Sequence, residues 1–196
     1  MIRRLAFFPA ALVLLAAVFG CQNNLWWEYR DDPYIADVAK KGKPEVLRGV
    51  NSTNREERQM ALRILANQAG ELRRNGRADQ ARELEEIIVR RYFIEKDPIV
   101  RACIVRIGAP AIGRGSTRMV KFLRDRIAAG EFPGYAALSL AYLAPKNVYF
   151  DIEPLTRHPA PEVRLQAAEA LTILGDPRGY DAVLRVWKGM RESIWP

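Results

Sequence analysis

The stretch PAPEVRLQAAEALTILGDPRGYDAVLRVWK, from Pro159 to Lys188, decides the fold prediction, because weaker copies of its pattern recur through most of the preceding chain. Its apolar residues recur at helical spacing in two groups, which predicts two amphipathic helices. The predicted inner face of the first helix carries Val163, Ala167, Ala170, Leu171 and Leu174. Its predicted outer face carries Glu162, Gln166, Glu169 and Thr172. The second helix carries the apolar residues Tyr180, Val183, Leu184 and Trp187.

Three consecutive residues predict the turn between these helices. Gly175 favours the end of the first helix, since glycine readily adopts the left-handed backbone conformation. Asp176 is a predicted helix cap, and Pro177 suits a first helical turn because that turn needs no amide proton there. Asp97, followed by a proline, repeats the capping signal. Neither helix buries its apolar face alone, so the pair predicts neighbours of the same kind.

Weaker copies of this pattern begin at Pro44. The first copy predicts a short helix, a Ser/Thr/Asn turn and a longer helix, followed by a partner helix over 77–93. The second opens at Asp97 and continues into a helix over 116–129. The third predicts helices over 132–143 and 149–157. The quoted stretch is then the fourth unit.

Two units carry the pattern in its most specific form, as VRACIVRIGAPAI and EVRLQAAEALTILGDPRGYDAVL. In both, a valine–arginine pair opens the first helix and a turn with glycine or proline ends it. These units resemble HEAT repeats, in the bacterial form also called lyase-type HEAT-like repeats. The resemblance implies an all-α, right-handed α-α superhelix of about four helix pairs over residues 44–196.

The same resemblance assigns a role to three arginines. Arg101 and Arg164 match the arginine of the pattern, and Arg58 holds the comparable place in the first unit. By resemblance these are repeat-stacking arginines, which lie between adjacent units and contact carbonyl groups or turn carboxylates. The third unit departs from the pattern, with Gly134 and Tyr135 where the valine–arginine pair is expected.

The first twenty residues predict an export signal. Arg3 and Arg4 precede an apolar run that is short for a membrane span and ends at Gly20. The sequence Val-Phe-Gly-Cys, ending at Cys21, resembles the lipobox of bacterial lipoproteins. The resemblance implies removal of residues 1–20 and acylation of Cys21, so that the protein is anchored to a membrane of the bacterial envelope. An uncleaved anchor and an ordinary signal peptide are the alternatives.

Residues 21–43 are predicted to form a lipid-anchored tether with a short helix. Gln22 stands where retained inner-membrane lipoproteins carry aspartate, which by resemblance favours the periplasmic side of the outer membrane. Trp26, Trp27 and Tyr29 lie close to the anchor, where aromatic rings favour the level of the lipid headgroups. Packing of these rings on the first helix of the domain is the alternative.

The formal net charge of +8 favours anionic binding partners. No nucleic-acid recognition motif is present, and we expect no nucleic-acid partner. On the predicted helix 116–129, a basic stripe of Arg118, Lys121 and Arg124 lies opposite the apolar face. This stripe is either a solvated face or a contact for anionic headgroups, cell-wall polymer or an acidic partner protein.

No pattern in the sequence predicts catalysis. His158 is the only histidine, so we expect no catalytic residue, no metal site and no cofactor. Cys103 lies among apolar residues at helical spacing, which predicts a buried thiol without a disulfide partner once Cys21 is acylated. The carboxylate pairs at 56–57 and 85–86 are predicted to lie on solvated helix faces.

These features together predict a membrane-anchored scaffold that binds envelope proteins noncovalently and is not an enzyme. A structural protein that contacts cell wall or anionic lipid is the main alternative. HEAT-like repeats of phycobilin lyases suggest chromophore attachment as another, but an export signal argues against that cytoplasmic reaction. The apolar end Ile194-Trp195-Pro196 either caps the last unit or binds another chain.

Overall fold

The computed structural model describes residues 43–144 and 147–194. The chain divides into two units, Met1–Val46 and Leu47–Pro196, and only residues 43–46 of the first unit are described. The predicted signal peptide 1–20, the predicted lipidation site Cys21 and the predicted tether up to residue 42 therefore lie outside the described residues, as do Trp195 and Pro196. No helix in the described ranges has the length and apolar character needed to cross a membrane.

Within the described ranges the chain forms nine α-helices and one 3₁₀ segment, with no strand, which confirms the predicted all-α class. The helices are α1 (Lys43–Val50), α2 (Arg55–Arg74), α3 (Ala78–Ile94), α4 (Pro98–Ile112), α5 (Thr117–Ala128), α6 (Pro133–Leu143), α7 (Val148–Ile152), α8 (Pro161–Ile173) and α9 (Pro177–Ile194). The 3₁₀ segment, Glu153–Arg157, continues directly from α7.

Local sequence explains where these helices begin. Proline is the first residue of α4, α6, α8 and α9, where its missing amide proton and fixed φ angle are favourable. The helix α2 instead begins after Asn54, whose Oδ1 accepts hydrogen bonds from the amides of Glu56 (2.8 Å) and Glu57 (3.2 Å). Ser116 caps α5 in the same way, since its Oγ accepts from the amide of Met119 at 3.1 Å.

Four helices of the second unit pack side by side, in the order α2, α4, α6 and α8, and we call them the row helices. Each row helix contacts the next one, while α3 packs on α2 and α5, α5 packs on α6, and α9 packs on α8. Two glycines allow close approach within the row. A Cβ atom at Gly70 would collide with the backbone carbonyl of Ala111, and one at Gly134 would collide with the side chain of Gln166.

The core lies between these helices and is mainly aliphatic. Its largest fully buried side chains in the second unit include Leu62, Leu65, Ile88, Tyr92, Ile104, Ile112, Met119, Leu123, Leu140, Leu143, Ile152 and Leu171. Cys103 is buried with a free thiol. Burying such side chains contributes about 1.5–3 kcal/mol each, so the packing of these helices on one another is a large source of stability.

Two expectations about local structure are wrong. The predicted helix 149–157 is split, because Pro154 has no amide proton for a regular α-helical hydrogen bond, and the chain tightens into the 3₁₀ segment there. Gln166 does not point away from its neighbours. Its side chain fills the space left by the missing side chain of Gly134, so this face of α8 packs on α6.

Candidate functional site

Arg58, the predicted repeat-stacking arginine of the first predicted unit, contacts two successive turns. Nη1 of Arg58 donates hydrogen bonds to the carbonyls of Ser52 (3.0 Å) and Thr53 (2.9 Å) in the turn before α2. Its Nε donates to Oε2 of Glu95 (3.0 Å), in the turn before α4. Arg91 donates to the same carboxylate oxygen at 2.8 Å. A single guanidinium group thus holds the openings of two neighbouring row helices together.

Arg101 makes the corresponding connection one unit later. Its Nη2 donates to Oε1 of Glu131 (2.9 Å), in the turn before α6, and to the hydroxyl of Tyr92 (3.0 Å). The Tyr92 hydroxyl in turn donates to Oε2 of Glu131 at 2.8 Å. Arg126 also pairs with Glu131, and its guanidinium lies 5.0 Å from the centre of the Tyr92 ring.

These contacts shift the acidity of the two groups in opposite directions. Burial raises the pKa of Tyr92, and the hydrogen bond to Glu131 adds to this, against the opposing influence of Arg126 and Arg101. The hydrogen bond from Tyr92 lowers the pKa of Glu131, and Arg101 and Arg126 act in the same direction. The pair is therefore held as a neutral phenol beside an ionised carboxylate.

Arg164 contacts the turn of its own unit. Its Nη1 donates to the carbonyls of His158 (2.9 Å) and Pro159 (2.8 Å).

The register of the row helices shows which residues of α6 stand where the valine–arginine pair was expected in the third predicted unit. Arg58, Arg101 and Arg164 are each the fourth residue of their helix, and the fourth residue of α6 is the buried Ala136, so Tyr135 and Ala136 replace the valine–arginine pair.

The two predicted helix caps accept hydrogen bonds at the expected places. Oδ1 of Asp97 accepts from the amide of Ile99 in the first turn of α4 at 2.9 Å. Oδ1 of Asp176 accepts from the amide of Arg178 in the first turn of α9 at 2.9 Å. Both carboxylates also pair with arginines, Asp97 with Arg55 at 2.6 Å and Asp176 with Arg178 at 2.7 Å. The hydrogen bond from the arginine is the largest influence that lowers the pKa of each aspartate.

A buried polar network fixes the turn between α4 and α5. Glu85 is fully buried, which contradicts its predicted place on a solvated face. Its Oε2 accepts from the Ser116 hydroxyl at 2.7 Å, and Arg73 pairs with its other oxygen. Arg73 also donates to the carbonyl of Gly115 at 3.1 Å. Glu85 lies four residues after the buried Ala81 and so shares its face of α3.

This turn forms one end of a cleft of about 590 Å³ in the second unit. The helix α5 lines the cleft with residues at helical spacing: Thr117, Val120, Lys121, Arg124 and Asp125. The Arg114–Ser116 turn closes one side and the end of α6, at Leu143 and Ala144, closes the other. A volume of this size is in the range of ligand-binding pockets, about 300–1,000 Å³.

The predicted basic stripe is divided by the structure. Arg118 pairs with Glu86 of α3 and lies outside the cleft lining. Lys121 pairs with Asp125 at 3.1 Å, and Arg124 pairs with Asp151 of α7 at 2.8 Å. All three side chains are at least 40% exposed. Only Lys121 and Arg124 of the stripe therefore contribute to the cleft, where Arg114 joins them.

The candidates for chemistry have ordinary structural surroundings. Nδ1 of His158 accepts from the amide of Ala160 at 3.1 Å, which stabilises the turn before α8. Burial raises the pKa of the Cys103 thiol, against the opposing influence of Arg63 and Arg106. No cluster of three or more potential metal ligands occurs among the described residues.

Sequence reasoning did not identify three structural features of this region. It did not place Arg114 at the cleft, although Arg114 stands in a turn between Gly113 and Gly115, both of which have positive φ angles. It also missed the Glu85 network and the carboxylate partners of the stripe. The glycine pair was a usable signal, because two left-handed residues around an arginine predict an exposed side chain on a sharp turn.

Comparisons with protein families, curated proteins and solved structures gave no match to this chain.

Proposed function

We propose that this protein is a bacterial envelope lipoprotein, anchored through Cys21, whose HEAT-like repeats form a right-handed superhelix that binds other envelope proteins. The repeat units are the helix pairs α2/α3, α4/α5 and α8/α9, and α6 with α7 and the 3₁₀ segment. The protein acts noncovalently as an assembly scaffold. Stacked helices present an extended surface, and the lipid anchor raises the local concentration of the scaffold near membrane-bound partners.

The arginine contacts are the observation that supports this proposal. Arg58 and Arg101 each reach a glutamate in the turn that opens the next row helix, at 3.0 and 2.9 Å. Contacts that repeat with the unit are typical of solenoids, in which each unit packs mainly on its neighbours. Such an architecture leaves long helical faces exposed, and these faces usually bind peptides or proteins.

Crosslinking in native envelope tests this function. The wild-type chain and the Cys21→Ser variant are each crosslinked in gently solubilised envelope, purified by affinity, and the bound proteins are identified by mass spectrometry. We expect one defined set of envelope proteins with the wild type and a reduced yield of the same set with the variant. If the wild type fractionates with membrane but no protein copurifies from either, the scaffold function is wrong.

Sedimentation with purified cell wall separates the scaffold from a structural protein of the envelope. A scaffold for proteins is expected to stay in the supernatant. If the wild type pellets with cell wall and the protein partners are absent, a structural role replaces the proposed one.

A further inference from the structure

The cleft beside α5 has a rim whose position is fixed by buried contacts. Arg114 stands on a turn between two glycines with φ angles of 75° and 94°. The next residues of that turn are held by Arg73, which donates to the Gly115 carbonyl, and by Ser116, which donates to the buried Glu85. A turn fixed in this way presents Arg114 without the ordering cost that a mobile loop would add on binding.

The cleft lining combines cationic and apolar side chains. Arg114, Lys121 and Arg124 line the cleft together with Val120, Leu143 and Ala144. Arg124 also pairs with Asp151 at 2.8 Å, and its side chain is 40% exposed. Arg114 forms no ion pair with any described residue. The carboxylate of Asp125 also lines the cleft and pairs with Lys121, whose side chain is 79% exposed. Exposed pairs of this kind are weak, so a ligand carboxylate is able to replace Asp125.

We propose that this cleft binds an acidic segment of a partner protein in which carboxylate side chains flank an apolar one. The carboxylates contact Arg114, Lys121 and Arg124, and the apolar side chain lies on Val120 and Leu143. The inference rests on the proposed scaffold function and names the chemistry of its partner. A cleft whose lining includes Val120 and Leu143 favours a protein segment that inserts an apolar side chain over a flat layer of lipid headgroups.

Fluorescence anisotropy with defined peptides tests the inference on the full chain in detergent. The probe is a labelled peptide that alternates aspartate or glutamate with leucine. One control peptide replaces the acids with their amides, and a second replaces leucine with glycine. We expect the acidic leucine peptide to bind most tightly and its binding to weaken between about 0.05 M and about 0.5 M NaCl, because salt screens exposed charges.

A matched pair of variants separates the cleft from net charge. The cleft variant, Arg114→Ser with Lys121→Ser, removes two cations that line the cleft. The control variant, Arg82→Ser with Arg157→Ser, removes two exposed cations whose ion-pair partners lie three or four residues away in the same segment. We expect the cleft variant to bind the peptide about tenfold more weakly and the control variant to bind within about twofold of wild type. Circular dichroism checks that both variants retain helix content.

Three outcomes overturn the inference. The amide peptide binds as well as the acidic one, or both double variants weaken binding equally, or the peptide fails to bind. If no peptide binds, but the wild type binds vesicles of phosphatidylcholine and phosphatidylglycerol and the cleft variant does not, the cleft is assigned to lipid headgroups instead. If the peptide fails while the wild type still copurifies with an envelope protein, this inference is wrong and the scaffold function survives.

Discussion

Arg58 in the first row helix and Arg164 in the last make the same two kinds of hydrogen bond. Each is the fourth residue of its helix, and each donates from Nη1 to the carbonyls six and five residues before it, Ser52 and Thr53 for the one and His158 and Pro159 for the other. They differ in their second partner. Arg58 also contacts the buried Glu95, whereas the hydrogen bonds that Arg164 makes to described residues go to the turn before its own helix.

This difference predicts unequal effects of the same substitution. Arg58→Met removes one of the two guanidinium groups that pair with the buried Glu95 carboxylate and leaves Arg91 as the other, and we expect the free energy of unfolding to fall by about 3 kcal/mol. Arg164→Met loses two hydrogen bonds to carbonyls, and we expect a fall of about 1 kcal/mol. Urea denaturation followed by circular dichroism measures both. Arg157→Met, at an exposed pair, is the control, and equal losses for Arg58→Met and Arg164→Met would falsify the assigned role of Glu95.

Glu95 also predicts how stability depends on pH. Burial alone raises the pKa of a carboxyl group, but the Asp97 amide and the guanidinium groups of Arg91 and Arg58 outweigh it, so the pKa of Glu95 lies below its ordinary value. A carboxyl whose pKa is lowered by folding contributes stability above its unfolded pKa of about 4.3. That contribution is lost as the pH falls through the folded pKa.

Urea midpoints measured from neutral pH to below about pH 4 check this sign. The wild type is expected to keep its stability from neutral pH down to about pH 5 and to lose it below that. Glu95→Gln is expected to lose less there, because glutamine does not titrate. A residual slope is expected in the variant, since the pKa values of Asp97, Glu131 and Asp176 are lowered too. Parallel profiles for the two proteins would contradict the prediction.

The sequence was informative where one residue type decides a local geometry. Prolines fixed the beginnings of four helices, and the arginine after valine marked the same helical position in α4 and α8. It was misleading where a polar side chain finds its partner far along the chain. Glu85 was placed on a solvated face, although Arg73 and Ser116 satisfy it in the interior, because periodicity carries no information about such partners.

The cleft was not predictable for a similar reason. Its lining comes from the turn after α4, one face of α5 and the end of α6, so it exists only once these elements pack. The sequence did indicate Lys121 and Arg124 on one helix. It gave no sign that Arg118 turns to Glu86 or that Arg124 pairs with Asp151.

The buried pair of Arg73 and Glu85 predicts a strong coupling between the two side chains. Arg73→Met leaves a fully buried carboxylate without its ion pair, and we expect a loss of about 3 kcal/mol. In the double variant Arg73→Met with Glu85→Leu both charges are gone, so its loss is expected to be smaller than the sum of the single losses by about 2 kcal/mol. A double-mutant cycle in urea measures this coupling.

The exposed pair of Arg157 and Glu153, at a distance of 3.0 Å, is the control cycle. Its coupling is expected to be about 0.5 kcal/mol or less, because both groups are solvated. Similar coupling energies for the two cycles would show that burial of Glu85 has no energetic consequence, and the prediction would then be wrong.

Two alanines that follow helices predict opposite effects of one substitution. Ala144, after α6, has a φ angle of 42°, whereas Ala129, after α5, has a φ angle of −79°. A side chain in the left-handed region costs about 1–2 kcal/mol, and glycine removes that cost but loses more conformational entropy on folding. We therefore expect Ala144→Gly to stabilise the protein by about 0.5 kcal/mol and Ala129→Gly to destabilise it by a similar amount. Thermal and urea denaturation of both variants measure the signs, and destabilisation by Ala144→Gly would contradict the strain assigned to this residue.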